Sequence, residues 1–458
     1  MKRISLAFAI LLATQTAALF GADALRQAQP NTLVILADDL GWGDLSCFQG
    51  TIAQTPQLDK MAAEGVRFTQ CYVAAPICSP SRCGIITGQF PGRWRITSYL
   101  QTRAGNAACE MVDYLDPKAH SLPRTLREAG YATAHVGKWH LGGGRDVKNP
   151  PKFAEYGYDL GLGTWESPEP HPDLTAKDWI WSAEDPVKRR NRTEWMVDQT
   201  LEFLKTYEDR PCFVNLWLDD THTPWVPSAE DQVIRKTGEA GGKGATIERL
   251  AKVLGEMDRQ LGRLLDGIRR RPTDRPTLVF FLGDNGPEPT FDQRRTAGLR
   301  GSKLSLYEGG LRVPGIVWGP GLVQGGVTNT DTVLATVDLF PSLCKLCGVD
   351  PPQGYESDGE DLSSAILGKT QPRRAKPLMW EYGRNATSFA YPSVTQHRSP
   401  NVAMRDGVWK LLIQADGTRV ELFDLVTDAN ETNDLSQIRP DIARELSKRA
   451  LEWRMSLP

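Results

Sequence analysis

Three short apolar runs constrain the fold of this chain more than any other feature of its sequence. They are TLVILADD at 32–39, CFVNLWLDD at 212–220 and TLVFFLGDN at 277–285. Each is continuously apolar and β-rich, the pattern of a strand buried on both faces. Each also ends in two polar residues able to bind a metal ion. A turn or a helix cap would explain one such end, but three ends together predict a site beyond the carboxyl ends of parallel strands.

Helical patterns separate these strands. One has apolar residues at spacings of three and four, namely Ile247, Leu250, Leu254, Met257, Leu261, Leu264 and Ile268. The alternation predicts an α/β fold, a large mainly parallel or mixed sheet sandwiched by helices. After residue 370, two extended runs flank Asp416-Gly417 as in a hairpin, and an amphipathic helix is expected at 439–455. We therefore predict a main domain at 25–370 and a smaller C-terminal α+β subdomain on an antiparallel sheet at 371–458.

Composition and the N-terminus narrow the class of protein. The chain has 458 residues, of which 24% are charged, and its net charge is −2. These values argue against a nucleic-acid binder or a strongly electrostatic membrane binder. Lys2 and Arg3 precede an apolar run at 4–20 and a small-residue site at 22–24, which predicts a signal peptide at 1–24; an uncleaved anchor helix is the alternative. We expect export to a periplasm or the exterior, or to a lysosome in a eukaryote, with no later membrane span.

Eight cysteines are too sparse for a disulfide scaffold, although export would permit disulfides. Cys344 and Cys347 have helical spacing, which favours a buried helix face over a metal or redox pair. Cys78 opens the segment CSPSR, in which Ser79 and Pro80 resemble the cap and first residue of a helix. Such a helix start favours an anion, and Arg82 adds positive charge. From these residues alone, a disulfide cysteine beside a capped helix is an equal alternative.

Residues 78–88 read C-x-P-S-R-x4-T-G and resemble the signature of the type I sulfatases, in the alkaline phosphatase superfamily. Other segments are similar to further motifs of that family, in the same order along nearly the whole chain. They are LADDLGWGDL at 36–45, GKWHLG at 137–142, THTPW at 221–225, GDNG at 283–286, LRGSKLSLYEGGLRVP at 299–314 and ELFDLVTDANETNDLS at 421–436. The resemblance implies an alkaline phosphatase-like fold, with the catalytic domain at 25–370.

The resemblance also implies a mechanism. It implies that Cys78 is converted to formylglycine by a maturating enzyme, and that the hydrated aldehyde attacks sulfur. It implies one divalent cation bound by Asp38, Asp39, Asp284, Asn285 and an oxygen of the modified Cys78. Oxygen ligands suit Ca²⁺ rather than Zn²⁺. The implied catalytic residues are Arg82, Lys138 and Lys303 for charge on the sulfuryl group, His222 as general acid and His140 as general base.

Two other functions compete with a sulfatase that acts on a sulfated carbohydrate. A phosphodiesterase or phosphomonoesterase of the same superfamily would present Ser or Thr as nucleophile, which Cys78 disfavours. A catalytically dead binder of sulfated glycans would have lost Cys78, Arg82 or a metal ligand, and all are present. We expect His135 to be structural, and Asp219 and Asp220 to shape the turn that presents His222.

Overall fold

The computed structural model describes residues 29–177, 179–233, 245–289, 291 and 293–458. The predicted signal peptide lies outside these residues. Within them, no helix combines the length and the apolar character that a membrane crossing requires.

A mixed sheet of nine strands forms the centre of the molecule. The main path runs β4-β3-β5-β1-β6-β7-β2-β8, and β9 pairs with β2. The bounds are β1 Asn31–Ala37, β2 Val66–Tyr72, β3 Ala132–Gly137, β4 Leu160–Gly163, β5 Cys212–Leu218, β6 Thr277–Gly283, β7 Arg312–Trp318, β8 Val327–Asn329 and β9 Leu334–Ala335. Of these nine strands, only β7 is antiparallel to the rest of the sheet; it pairs with β6 and β2. The predicted mainly parallel or mixed sheet is confirmed.

The three apolar runs are the three central strands, because β1 lies between β5 and β6. Ala37 pairs with Leu218 on one side and with Gly283 on the other. This register brings the polar residues that follow each strand to the same edge of the sheet. The end of β3, beyond Gly137, lies beside β5 at that edge.

Helices cover both faces of the sheet. Their bounds are α1 Pro56–Glu64, α2 Cys78–Thr87, α3 Arg103–Ala108, α4 Leu122–Glu128, α5 Arg192–Thr206, α6 Ile247–Arg269, α7 Glu308–Leu311, α8 Leu339–Cys347, α9 Ser363–Ile366 and α10 Pro440–Met455. In β1, Leu33 and Ile35 pack into one core with α1, α5 and α6, whereas Val34 and Leu36 pack into the other with α2 and α8. Burial on both faces explains why this strand shows no polar alternation.

A second sheet follows residue 370. Its four antiparallel strands run in the order β10-β11-β12-β13, with bounds β10 Leu378–Glu381, β11 Val402–Asp406, β12 Trp409–Ile413 and β13 Glu421–Asp424. The hairpin predicted around Asp416-Gly417 joins β12 to β13, and Gly417 has a φ of +84° that a glycine adopts freely. The predicted terminal helix is α10. The domain boundary at residue 370 stays a prediction.

The start of α2 differs from its prediction. The helix begins at Cys78 after an extended Ile77, so Ser79 is not its cap. The Ser79 hydroxyl instead accepts a hydrogen bond of 2.9 Å from the Leu100 N–H. Pro80 is tolerated within the first turn because N–H groups there have no helical partner. Cys344 and Cys347 lie buried in α8 as expected, and all eight cysteines are free thiols.

Candidate active site

The predicted site residues converge on one cavity at the carboxyl edge of the central sheet. The cavity has a volume of about 630 Å³. Six predicted residues line it, namely Asp38, Cys78, Lys138, His140, His222 and Lys303. The other four, Asp39, Arg82, Asp284 and Asn285, are fully buried. The structure therefore brings together all of the residues that the sequence analysis predicted for the site.

Three carboxylates form a compact buried cluster at this edge of the sheet, and one of them, Asp38, lines the cavity. Asp38, Asp39 and Asp284 each place an oxygen within 4.8 Å of the others. Asp284 Oδ1 accepts a hydrogen bond of 2.9 Å from the Asp39 N–H, and Asn285 Nδ2 donates one of 2.7 Å to Asp39 Oδ1. Asp39 has a left-handed backbone with a φ of +57°, which an Asp accepts more readily than most residues. The strand ends thus supply an oxygen-rich buried cluster.

Three basic residues surround the carboxylates. Lys138 Nζ lies 2.5 Å from Asp38 Oδ2, and Lys303 Nζ lies 2.7 Å from Asp39 Oδ2. The Arg82 guanidinium donates two hydrogen bonds to Asp284 Oδ2, of 3.1 Å from Nε and 2.7 Å from Nη2. Burial opposes the charged form of the Asp38 carboxylate. The pKa of Asp38 is nevertheless held well below its usual range, because the charges of Lys138, His222, Arg82 and Lys303 outweigh the burial.

Two orphaned oxygens show that the cluster fits a metal ion. Asp38 Oδ1 and Asn285 Oδ1 are buried and accept no hydrogen bond from any described residue, and Arg82 Nη2 lies 3.5 Å from Asp38 Oδ1. Burial, together with the charge of Asp38, raises the pKa of Asp284 well above its usual range despite the adjacent Arg82. A divalent cation would satisfy both oxygens and favour ionisation of the third carboxylate. Because the donors are all oxygen, they suit a hard cation such as Ca²⁺.

Cys78 lies at the floor of the cavity, only 3% exposed, in the first turn of α2. Burial raises the pKa of its thiol, against the opposing charges of Lys138, Lys303 and Arg82. A thiolate is the reactive form of cysteine, so this thiol is not activated at neutral pH. The geometry therefore gives Cys78 the central position without making the unmodified thiol a good nucleophile.

His140 faces Cys78 with a defined nitrogen. Its Nε2 lies 3.0 Å from the Leu100 carbonyl oxygen and 3.3 Å from Glu166 Oε2, and both of these can only accept. The neutral ring therefore carries its proton on Nε2 and presents a bare Nδ1, which lies 3.1 Å from Cys78 Sγ. Burial lowers the pKa of His140 to about 4. Its φ of +55° is a strained, left-handed value for a non-glycine residue, of the kind found at functional sites.

His222 reaches the cavity from the turn after β5. Its Nδ1–H donates a hydrogen bond of 2.6 Å to the Thr223 carbonyl, and its Nε2 lies 3.7 Å from Asp39 Oδ2. The turn is held by the Asp219 carbonyl, which accepts from the His222 N–H at 3.2 Å. Arg189 binds the Asp219 carboxylate at 2.9 Å. Asp219 thus shapes the turn that presents His222, as predicted, whereas the same role for Asp220 stays a prediction.

His135 is structural, as the sequence predicted. It is fully buried, and its ring stacks on Phe153 at 5.1 Å and contacts Trp139 and Trp217 edge to face. Burial lowers its pKa to about 3. This ring therefore packs the wall beneath the site and does not face the cavity.

The sequence did not single out Glu166, Arg145, Tyr99 or Tyr391, which also line the cavity. Glu166 Oε1 accepts a hydrogen bond of 2.8 Å from Arg145 Nη2, while its other oxygen lies beside His140. These residues belong to loops without a recognisable motif. The one local signal is the glycine run at 142–144 directly before Arg145.

Comparisons with known proteins agree with this site. A family model described as Sulfatase matches residues 30–349. The chain is 33% identical to an N-acetylgalactosamine-6-sulfatase of Canis lupus familiaris, over 78% of this chain and 70% of that protein. It is 28% identical to an N-acetylgalactosamine-6-O-sulfatase of Bacteroides thetaiotaomicron, over 92% of each.

A solved sulfatase structure from Pseudoalteromonas sp. has the same fold. Its TM-score is 0.74 at 22% identity, and the match covers 97% of this chain and 95% of that one. With the family model spanning most of the chain and the site residues assembled in one cavity, the protein belongs to the sulfatase family and is a sulfuric ester hydrolase.

Proposed function

We propose that this enzyme hydrolyses sulfate esters on a carbohydrate, using residue 78 as the position of the nucleophile. The observation that carries this proposal is the convergence of Lys138, Lys303 and Arg82 with Cys78 on a single buried centre. A sulfate ester bears negative charge on oxygens that repel a nucleophile. Preorganised cations in a site shielded from water offset that repulsion.

One Ca²⁺ ion would be held by Asp38, Asp39, Asp284, Asn285 and the side chain at position 78. When bound, the ion supplies Lewis-acid charge that stabilises an anion at the centre. Once all three carboxylates are ionised, their charge equals that of the three nearby cations Arg82, Lys138 and Lys303. A divalent ion would give this centre an excess of positive charge, which suits an anionic substrate.

Cys78 would be oxidised to formylglycine by a sulfatase-maturating enzyme. The hydrated aldehyde supplies a hydroxyl nucleophile that a thiol with a raised pKa does not. Because Cys78 is 3% exposed, the maturating enzyme should act before the chain has folded. This order would explain how a residue buried at the base of a cavity becomes modified.

The side chains around position 78 would bind the sulfate group and transfer protons. Lys138, Lys303 and Arg82 would bind the sulfuryl oxygens and hold them in line for attack. His140 would act as base, since its bare Nδ1 faces position 78. In its doubly protonated form, with Nδ1–H donated to the Thr223 carbonyl, His222 would protonate the leaving oxygen from Nε2, which lies on the side of the carboxylate cluster. Lys303 could share this role.

A sulfated polysaccharide is the substrate class that we propose. The cavity is of a size typical of small-molecule sites, and its lining combines aromatic residues with polar groups. The two relatives compared above are by name sulfatases of N-acetylgalactosamine. We further propose that the chain is exported after cleavage of residues 1–24, with the catalytic domain at 25–370.

Sulfate release from a panel of sulfated monosaccharides tests this function. We expect the wild-type protein, produced together with a maturating enzyme, to release inorganic sulfate, and Cys78→Ala to release none. Cys83→Ala is the matched control, because Cys83 is a buried cysteine of the same helix that does not line the cavity. Absence of sulfate release from every sugar, with calcium present, would refute the proposal.

A further inference from the structure

We propose that Arg145 is a specificity-determining residue whose guanidinium binds an oxygen acceptor of the sulfated sugar. This inference rests on the proposed function, since it presumes that a carbohydrate enters the cavity. Arg145 lines the cavity but belongs neither to the carboxylate cluster nor to the cations around Cys78. Its place in the wall calls for a separate explanation.

The backbone is built to deliver Arg145 to this wall. Gly142, Gly143 and Gly144 have φ values of +132°, +99° and +75°, and Arg145 itself has a φ of +53°. A Cβ on Gly143 would lie 2.2 Å from the Ser167 carbonyl oxygen, so the loop needs glycine there for close approach. A left-handed backbone is unfavourable for a long side chain such as arginine and is retained mainly where the position matters.

The turn that follows holds this conformation. The Val147 N–H donates a hydrogen bond of 3.0 Å to the Gly144 carbonyl. The Asp146 carboxylate accepts one of 2.9 Å from the Arg103 N–H at the start of α3. Both bonds flank Arg145, so its Cα is anchored on either side while its side chain extends into the cavity wall.

The guanidinium is oriented but only partly satisfied. Its Cζ lies 5.5 Å from the centre of the Trp165 ring, and Nη2 donates to Glu166 Oε1 at 2.8 Å. The buried Nε has no hydrogen-bond partner among the described residues. The side chain is 26% exposed, whereas that of Glu166 is 6% exposed. Nη1 has no hydrogen bond to any described residue and is not one of the buried unpaired atoms, so the guanidinium keeps a donor for a ligand and loses little side-chain entropy on binding.

A short chain of contacts links Arg145 to the reaction centre. Cys78 Sγ contacts His140 at 3.1 Å, His140 lies 3.3 Å from one oxygen of Glu166, and the other oxygen binds Arg145. Arg145 lines the same cavity as Cys78 and His140, so we place the sugar that carries the ester against this wall. Since a guanidinium only donates, its ligand is an oxygen acceptor, either a ring hydroxyl or an anionic oxygen of a uronate or a second sulfate.

The test compares substrates that have or lack a sugar. We would measure kcat/KM of Arg145→Gln and Arg145→Lys on a sulfated N-acetylhexosamine, on a sulfated disaccharide containing a uronate, and on 4-nitrophenyl sulfate. Loss of a charged hydrogen bond predicts that Arg145→Gln loses about 10- to 100-fold more on sugars than on the aryl ester, mainly through KM. A larger loss of kcat/KM on the disaccharide would identify an anionic acceptor. Equal losses of kcat/KM on both sugars would identify a hydroxyl acceptor.

Binding provides a second readout that does not need turnover. Titration of the sulfated N-acetylhexosamine into Cys78→Ala protein, with and without Arg145→Gln, should show the same loss of affinity. Arg93→Gln is the matched control, because Arg93 also pairs with a carboxylate, Asp358 at 2.7 Å, but does not line the cavity. It should alter neither readout.

The outcomes separate this inference from the proposed function. Equal losses of Arg145→Gln on the aryl ester and the sugars, or no loss on either, would overturn the inference while leaving a working sulfatase. A wild-type protein that cleaves 4-nitrophenyl sulfate but no sugar ester, and binds none, would overturn both the carbohydrate proposal and the inference.

Discussion

Glu431 provides a quantitative test of the electrostatics where the two sheets meet. It is fully buried, and its carboxylate lies 2.9 Å from Lys410 Nζ, which lies equally close to Glu308. Glu431 Oε2 also accepts a hydrogen bond of 2.6 Å from the Glu308 N–H. One lysine thus serves two buried carboxylates. Burial, with the charge of Glu308, raises the pKa of Glu431 to about 7 despite Lys410.

The perturbation is Glu431→Gln, which keeps the hydrogen-bond acceptor and removes the titration. A folded-state pKa above the ordinary 4.5 means that the folded protein retains a proton that the unfolded chain releases. The stability from this proton is fully present below about pH 4.5 and is lost as the pH rises through about 7. Between pH 5 and pH 8 it changes by about 2 to 3 kcal/mol.

Urea unfolding at several pH values between 5 and 8 measures this effect. We expect the unfolding free energy of the wild type to fall relative to that of Glu431→Gln as the pH rises, by the amount given above. Glu445→Gln is a control, because the Glu445 side chain is 70% exposed on α10. Parallel curves for the wild type and Glu431→Gln would refute the reasoning.

Three further predictions concern the active centre. Arg82→Lys should lower the unfolding free energy by about 1.5 to 3 kcal/mol, because lysine keeps the charge but cannot make both bonds to the buried Asp284. Arg93, whose side chain is 45% exposed beside Asp358, should lose under about 1 kcal/mol in Arg93→Lys, and equal losses would contradict this. Chelation with EGTA should lower the thermal midpoint and Ca²⁺ should restore it, because Ca²⁺ at a hundredfold excess over Kd adds about 2.7 kcal/mol to the unfolding free energy. An unchanged midpoint would argue against the metal site. Lys303→Met should lower kcat/KM by about 10²- to 10³-fold in sulfate-release assays, as loss of a preorganised donor does, and an unaffected rate would exclude its role.

The fold and the carboxylate cluster were predictable because their signals are local. Each central strand is a short apolar run, and the residues that follow it must meet at one edge once β1 pairs with β5 and β6. The sequence alone therefore predicts that Asp38 and Asp284 lie together. The helix of Cys78 was also predictable, but its first residue was not, because tertiary contact with Leu100 decides what Ser79 does.

The substrate-facing wall was not predictable from the sequence. Arg145 and Glu166 lie on loops whose paths depend on packing against Trp165 and His140 rather than on any period. Tyr391 reaches the same cavity from the segment between β10 and β11. Such loops carry no repeating signal, since their conformation is fixed by contacts distant in sequence.

The most direct test of the central proposal is the mass of the peptide that contains Cys78. The protein would be isolated from its native host and digested, and the peptide that contains residues 77–86 would be weighed by mass spectrometry. A residue about 18 Da lighter than cysteine, the change from a thiol to an aldehyde, is the predicted result for the nucleophile precursor. An unmodified thiol or a disulfide at Cys78 in active protein would contradict the formylglycine mechanism.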